Sequence, residues 1–110
     1  MRFRFIVLSK GKPGREAEFA DWYANTHVGE VVALPGVLSG QFFECAMIRK
    51  DGAGHGFTHM AEYECEADSP QVIADELNAR QASGRMKMTD AIDPGNLAYF
   101  FTPVTGRITK

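Results

Sequence analysis

Phe19, Tyr23 and His27 recur every four residues in the segment Phe19-Ala20-Asp21-Trp22-Tyr23-Ala24-Asn25-Thr26-His27-Val28. On a helix this spacing sets the three rings along one side, each about one turn above the last. An imidazole at the end of such a stripe has two readings. In the first it faces an apolar cavity lined by Phe19, Trp22 and Tyr23. There neutral His27 accepts a proton as general base, while the Tyr23 hydroxyl polarises a substrate oxygen or orients the ring. In the second, His27 only caps the helix C-terminus, where partial positive charge is favoured. Spacing alone leans toward the cap.

A second group lies on what reads as a hairpin. His59 alternates with Phe57, Ala61, Tyr63 and Cys65, and Glu44 alternates with Phe42, Ala46 and Ile48. Closing the hairpin about Ala53-Gly54 sets Glu44 near Tyr63 and His59 near Ile48. Glu44, His59 and Tyr63 would then be polar groups on the floor of a pocket under the first helix. Alternatively, His59 is a satisfied strand residue and Glu44 belongs to a wet or subunit-facing row, and a one-residue slip reverses the faces. The histidines lack tight metal-ligand spacing, and a two-His, one-carboxylate set from His27, His59 and Glu44 is a minor alternative, so no metal is expected. Cys45 and Cys65 form no CxxC pair and read as buried structural thiols. No GxSxG elbow or dinucleotide fingerprint is present, and the glycine-rich stretch Asp51 to Gly56 lacks the strand-to-helix setting of a phosphate loop.

The elements that must position these groups follow from hydropathy and turn chemistry. Arg2 to Ser9 alternates as a first strand, and Arg15 to His27 carries the helical period, weakening at His27-Val28-Gly29-Glu30. Pro35-Gly36 is a turn, Gly40 to Arg49 a second strand and Phe57 to Glu66 a third. Asp68 or Ser69 can cap a second helix that has Pro70 at its start and Val72, Ile73 and Leu77 as its buried stripe. Met86 to Asn96 reads as irregular, and Leu97 to Val104 as the fourth strand. The order β-α-β-β-α-β is the split βαβ, or ferredoxin-like, α+β arrangement with an antiparallel sheet, in one domain spanning residues 1–110. Helices cover only one face of such a sheet, and a second subunit is the expected cover for the other.

Composition narrows the function. Among 110 residues, twelve Lys and Arg against fourteen Asp and Glu leave a net charge of −2, which gives no electrostatic case for binding nucleic acid or an anionic membrane. The N-terminal apolar run, Ile6 to Leu8, is shorter than the roughly 7–15 residues of a signal peptide or the roughly 20 of a membrane span. A cytoplasmic, reducing location is the resulting expectation.

The element order together with FADWYANTHVGEVVALPGV resembles the EthD-like branch of the dimeric α/β-barrel superfamily. The shared features are an aromatic first helix ending in Tyr-x-x-x-His, then Leu-Pro-Gly and an aromatic strand. The specific motif spans Phe19 to Phe43, and the general pattern covers nearly the whole chain. The resemblance implies a homodimer with the sheets packed face to face and a pocket between sheet and helices in each subunit. It gives His27 a pocket position and favours the base over the cap. It also implies a cofactor-independent enzyme acting on a small hydrophobic, aromatic or ketonic metabolite, of monooxygenase or cyclase type. The alternative is a non-catalytic ligand-binding or accessory protein working beside an oxygenase. A haem enzyme with His27 or His59 as axial ligand is a third option, for which the sequence supplies no basic propionate site.

Overall fold

The computed structural model describes Met1–Lys110. Strand β1 (Arg2–Ser9) sends Phe3 and Phe5 into the core and Arg2 and Arg4 to the opposite face, as the period of two requires. It is followed by helix α1 (Glu16–Trp22), a π turn (Tyr23–His27), helix α2 (Val28–Val32), strands β2 (Val37–Glu44) and β3 (His59–Glu66), helix α3 (Pro70–Ala82) and strand β4 (Leu97–Phe101). The strands form one antiparallel sheet in the order β2-β3-β1-β4. This is the ferredoxin-like α+β arrangement read from the sequence.

Four elements differ in extent from the sequence reading. The first helix does not weaken at His27 but continues to Val32. Exposed Gly29 costs about 1 kcal/mol in a helix, whereas fully burying one valine contributes about 1.5–3 kcal/mol. Val31 is buried here, and Val28 and Val32 pack against the same core. Strand β2 starts at Val37 and stops at Glu44, and β3 begins only at His59. The segment between them leaves the ladder, and the Asp51 carboxylate accepts bonds from the Gly54 and Gly56 amides at 2.9 and 2.7 Å. Strand β4 ends at Phe101, before Pro103, which has no amide hydrogen to donate. In α3, Ile73 is buried and Leu77 half-buried, but Val72 is exposed.

The hairpin register is also different. Tyr63 pairs with Gly40, and His59 pairs with Glu44, rather than Tyr63 with Glu44 and His59 with Ile48. The slide is an even number of residues, so each side chain keeps its face. Gly40 fixes the match: a Cβ there would sit 2.6 Å from the Tyr63 ring and 2.7 Å from Val32, so only glycine lets the ring lie flat across β2.

Phe19, Tyr23, Val31 and Ile73 from the helices join Phe3, Phe5, Ala61, Tyr63 and Cys65 from the sheet in one core. The other sheet face has no helix over it. Tyr99 and Phe101 are 48% and 55% exposed there. They share that face with ion pairs from Arg4 to Glu62 and Glu64 and from Arg2 to Glu66. Cys65 is buried but Cys45 is exposed, so only one of the two thiols is a core residue.

Candidate functional site

The π turn Tyr23–His27 shapes the site. In an α-helix, residues five apart project about 140° from each other. Here the rings of Trp22 and His27 stack at 4.4 Å with 18° between planes, and the Tyr23 ring meets His27 edge-on at 4.9 Å. The wider turn therefore gathers three side chains that a regular helix would divide between two faces. Such insertions recur at functional sites. Because the helix runs on through His27, whose side chain caps nothing, the end-of-helix reading of this histidine falls away.

These rings form one wall of a cavity of about 340 Å³ between the helices and the sheet. Phe5 and Tyr63 form its floor, Leu77 and Gln81 of α3 its far side, and Met88, Ile92 and Asn96 a rim on the chain leading to β4. No Asp, Glu, Lys or Arg lines it. A second concavity, about 350 Å³, lies by Arg2, Arg4, Glu64 and Phe101. Its charges are already paired with neighbours on the sheet, which leaves it without a free polar group of comparable burial.

Two polar atoms on residues around the first cavity stand out. His27 Nδ1 and the Tyr63 hydroxyl are both buried and complete no hydrogen bond. A buried polar group without a partner costs about 1–3 kcal/mol, and because both atoms are enclosed a ligand reaches them only if the wall shifts. His27 is 8% exposed, and burial with no compensating charge pushes its pKa down to about 4. The imidazole is therefore neutral at pH 7. Burial likewise raises Tyr23 to about 12 and moves Tyr63 further in the same direction; the two hydroxyls lie close enough to influence each other's titration, although no well-aligned hydrogen bond joins them. Both remain protonated donors.

The fold brings His27, Tyr23, Trp22 and Tyr63 together around this cavity and sets Phe19, Glu44 and His59 apart from it. Phe19 is fully buried against Tyr23, Phe42 and His59, so it packs behind the wall. His59 is the outer layer of a stack in which Phe42 lies between it and Tyr23, at 4.9 and 4.4 Å, and its Nδ1 is bonded to Thr58 Oγ1 at 2.8 Å. Glu44 is exposed at the end of β2. The two-His, one-carboxylate set does not form, and no cluster of three His, Cys, Asp or Glu side chains is placed to hold a metal. Gln81, Met88 and Asn96 went unrecognised in the sequence. Met88 and Asn96 lie in an irregular stretch without periodicity, and Gln81 reads as the wet side of α3.

No family model matches the chain, and no curated protein matches it. Solved structures do. An Arabidopsis thaliana protein superposes with a TM-score of 0.66 at 16% identity, over 96% of this chain and 99% of its own. An EthD-like protein from Ralstonia eutropha JMP134 gives 0.63 at 16%, over 96% and 95%. A candidate monooxygenase from Shewanella loihica PV-4 gives 0.59 at 17%, over 96% of both chains. The chain thus shares its ferredoxin-like fold with an EthD-like protein and these other solved structures along nearly its whole length.

Proposed function

We propose that residues 1–110 act as one domain that binds a small, uncharged, hydrophobic aromatic or ketonic metabolite in this cavity and transforms it without a cofactor. The observation that carries the reading is a cavity without charged side chains in which neutral His27 and the phenols of Tyr23 and Tyr63 share a largely apolar lining, with Gln81 and Asn96 as its other polar residues. A volume of about 340 Å³ is at the small end of ligand pockets, which run from about 300 to 1,000 Å³. That suits a body of one or two fused rings. His27 takes a phenolic proton or one from carbon beside a carbonyl, and Tyr23 or Tyr63 donates to the oxyanion that develops.

A base held at about pKa 4 is weak until the anion forms. Opposite charges about 4 Å apart in an effective dielectric of about 20 attract by about 4 kcal/mol, equivalent to about 3 pKa units. The ion pair thus brings His27 to near neutrality at the moment of transfer. In the monooxygenase form, the carbanion of a ring CH₂ meets O₂. The carbon becomes C=O, and the second oxygen leaves as water with the two hydrogens. In the cyclase form, it attacks a carbonyl of the same molecule.

The depressed His27 also favours a second reading, a non-catalytic binding or accessory protein that needs the cavity but no strong base. Both are tested by thermal shift with phenols, quinols and cyclic ketones on wild type and His27→Ala, followed by oxygen uptake and product analysis on the hits. Ligand at a hundredfold excess over Kd adds about 2.7 kcal/mol to stability. Turnover that falls by about 10²–10⁴ in the variant supports catalysis. Binding with no turnover in either protein supports the accessory role.

The same proposal takes the molecule as a homodimer closed over the open sheet face, where Tyr99 and Phe101 are exposed on one edge strand and Phe43 on the other. Sedimentation of wild type and Phe101→Glu tests it, with a dimer expected only for wild type. No helix is long and apolar enough to cross a membrane. With Cys45 exposed and unpaired, the reducing cytoplasm is the proposed location.

A further inference from the structure

The chain between α3 and β4 crosses the cavity as a strap hydrogen-bonded to the rest of the molecule at two ends, with an ion pair from Arg15 to Asp90 at 2.8 Å between them. At one end, the Trp22 indole Nε1 donates to the Lys87 carbonyl at 2.6 Å. The Lys87 amide in turn donates to the Glu30 carboxylate, at 3.1 Å to Oε2 and 3.4 Å to Oε1. At the other end, the Lys12 amide donates to Ala91 and the Asp93 amide to Lys10 at 2.7 and 2.9 Å, with Gly11 and Ile92 bridged between them. Met88 lies between these anchors. It lines the cavity, yet it is 46% exposed. A side chain that is both wall and surface is at the mouth. Its neighbours explain its position: Met86, two residues before it, is buried, and so is Ala91, three residues after.

We infer that Met88 is the lip that limits what enters the cavity, and that Glu30 is a positioning residue holding that lip in place through the Lys87 peptide. The inference rests on reading the cavity as a ligand pocket, but not on His27 chemistry. An unbranched thioether with three rotatable bonds suits a lip that must bend around guests of differing shape. The peptide Lys87 bonds on both sides, to an indole donor and a carboxylate acceptor, so both of its polar groups are tied to the first helix segment. Losing the bond to the charged acceptor leaves the Trp22 hydrogen bond and the buried Met86 side chain as the ties at that end. Glu30 does not line the cavity, so its influence on access passes through the strap alone.

Trp22 is the single tryptophan, lines the cavity and is bonded to the strap, so its fluorescence and its indole N–H report the mouth directly. The experiment compares quenching of Trp22 by acrylamide and by the bulkier, also neutral, succinimide in wild type, Met88→Ala, Glu30→Ala and Glu30→Gln, together with hydrogen exchange at the Trp22 indole and Lys87 amide. Met88→Ala is expected to raise succinimide quenching more than acrylamide quenching. Glu30→Ala is expected to raise quenching by both and to speed exchange at Lys87 by about tenfold or more, the usual consequence of losing one bond to a charged acceptor. Glu30→Gln keeps an oxygen for the Lys87 amide and should return both readouts most of the way to wild type. Equal quenching in wild type and Met88→Ala, with both folded by circular dichroism, overturns the lip. Glu30→Ala that loses thermal stability without faster exchange at Lys87 or Trp22 overturns the latch. Loss of turnover in His27 variants with these quenching differences intact separates failure of the chemistry from failure of the mouth.

Discussion

Replacing His27 by glutamine tests the burial of this ring without any ligand. The folded imidazole is held at about 4 against an ordinary value of 6.5, with burial as the cause. The unfolded chain therefore binds a proton that the folded one refuses between these values. Stability follows the protons: where the unfolded state binds more, stability falls as pH falls. The contribution of neutral His27 is complete above about pH 6.5 and is lost progressively toward pH 4. Its size is about 3 kcal/mol, from 1.36 kcal/mol per pKa unit. That is a large part of the 5–15 kcal/mol typical of a domain, equivalent to about 15 °C in Tm for a chain of this length. Urea unfolding at intervals from pH 4 to 8 measures it as the difference between wild type and His27→Gln. The exposed carboxylates titrate alike in both proteins and cancel, as does His59, which burial also lowers. The expected result is a wild-type curve that falls more steeply on the acid side, the gap closing above pH 7. Parallel curves would refute the reasoning, because they would mean that His27 is solvated or paired in the folded protein.

Tyr63→Phe removes a buried hydroxyl with no well-aligned hydrogen bond, so stability without ligand should change by less than about 1 kcal/mol in urea unfolding, while the Tyr23 hydroxyl beside it keeps its place. Gly40→Ala forces a methyl group to within 2.6 Å of the Tyr63 ring and 2.7 Å of Val32; a loss of about 1–3 kcal/mol in urea unfolding, with shifted Tyr63 ring resonances, is expected. Phe19→Ala opens the core behind Tyr23 and should cost about 3–5 kcal/mol, a thermal-denaturation measurement; a loss below 1 kcal/mol would mean that Phe19 is not the packed residue described. Trp22→Phe strips the donor from the Lys87 carbonyl and should cost about 1–2 kcal/mol, with faster exchange across residues 86–90 by mass spectrometry.

Alternation in Arg2 to Ser9, the aromatic helical period, Pro35-Gly36 and Pro70 together made the element order legible, because each is a local property of a few neighbouring residues. The same local patterns named Tyr23, His27 and Trp22. They also assigned Tyr63 to the face beneath the first helix, since strand faces depend only on parity and survive an even slip of register. The pairing of Tyr63 with Gly40 did not follow from the sequence, nor did the separation of Glu44 and His59 from the cavity. Register depends on which ring fits against which backbone across two strands. Likewise, FADWYANTH reads as an unbroken α-helical stripe, and only packing against the sheet turned Tyr23–His27 into a π turn that stacks Trp22 on His27. Met88 and Asn96 lie in a stretch with no period at all. Their positions at the mouth come from hydrogen bonds to Trp22, Glu30 and Lys10–Lys12, residues about 55 or more positions away in the chain. Contacts closed over such distances leave no periodic trace in sequence, so the chain determined the elements and their faces, and tertiary packing decided which side chains meet.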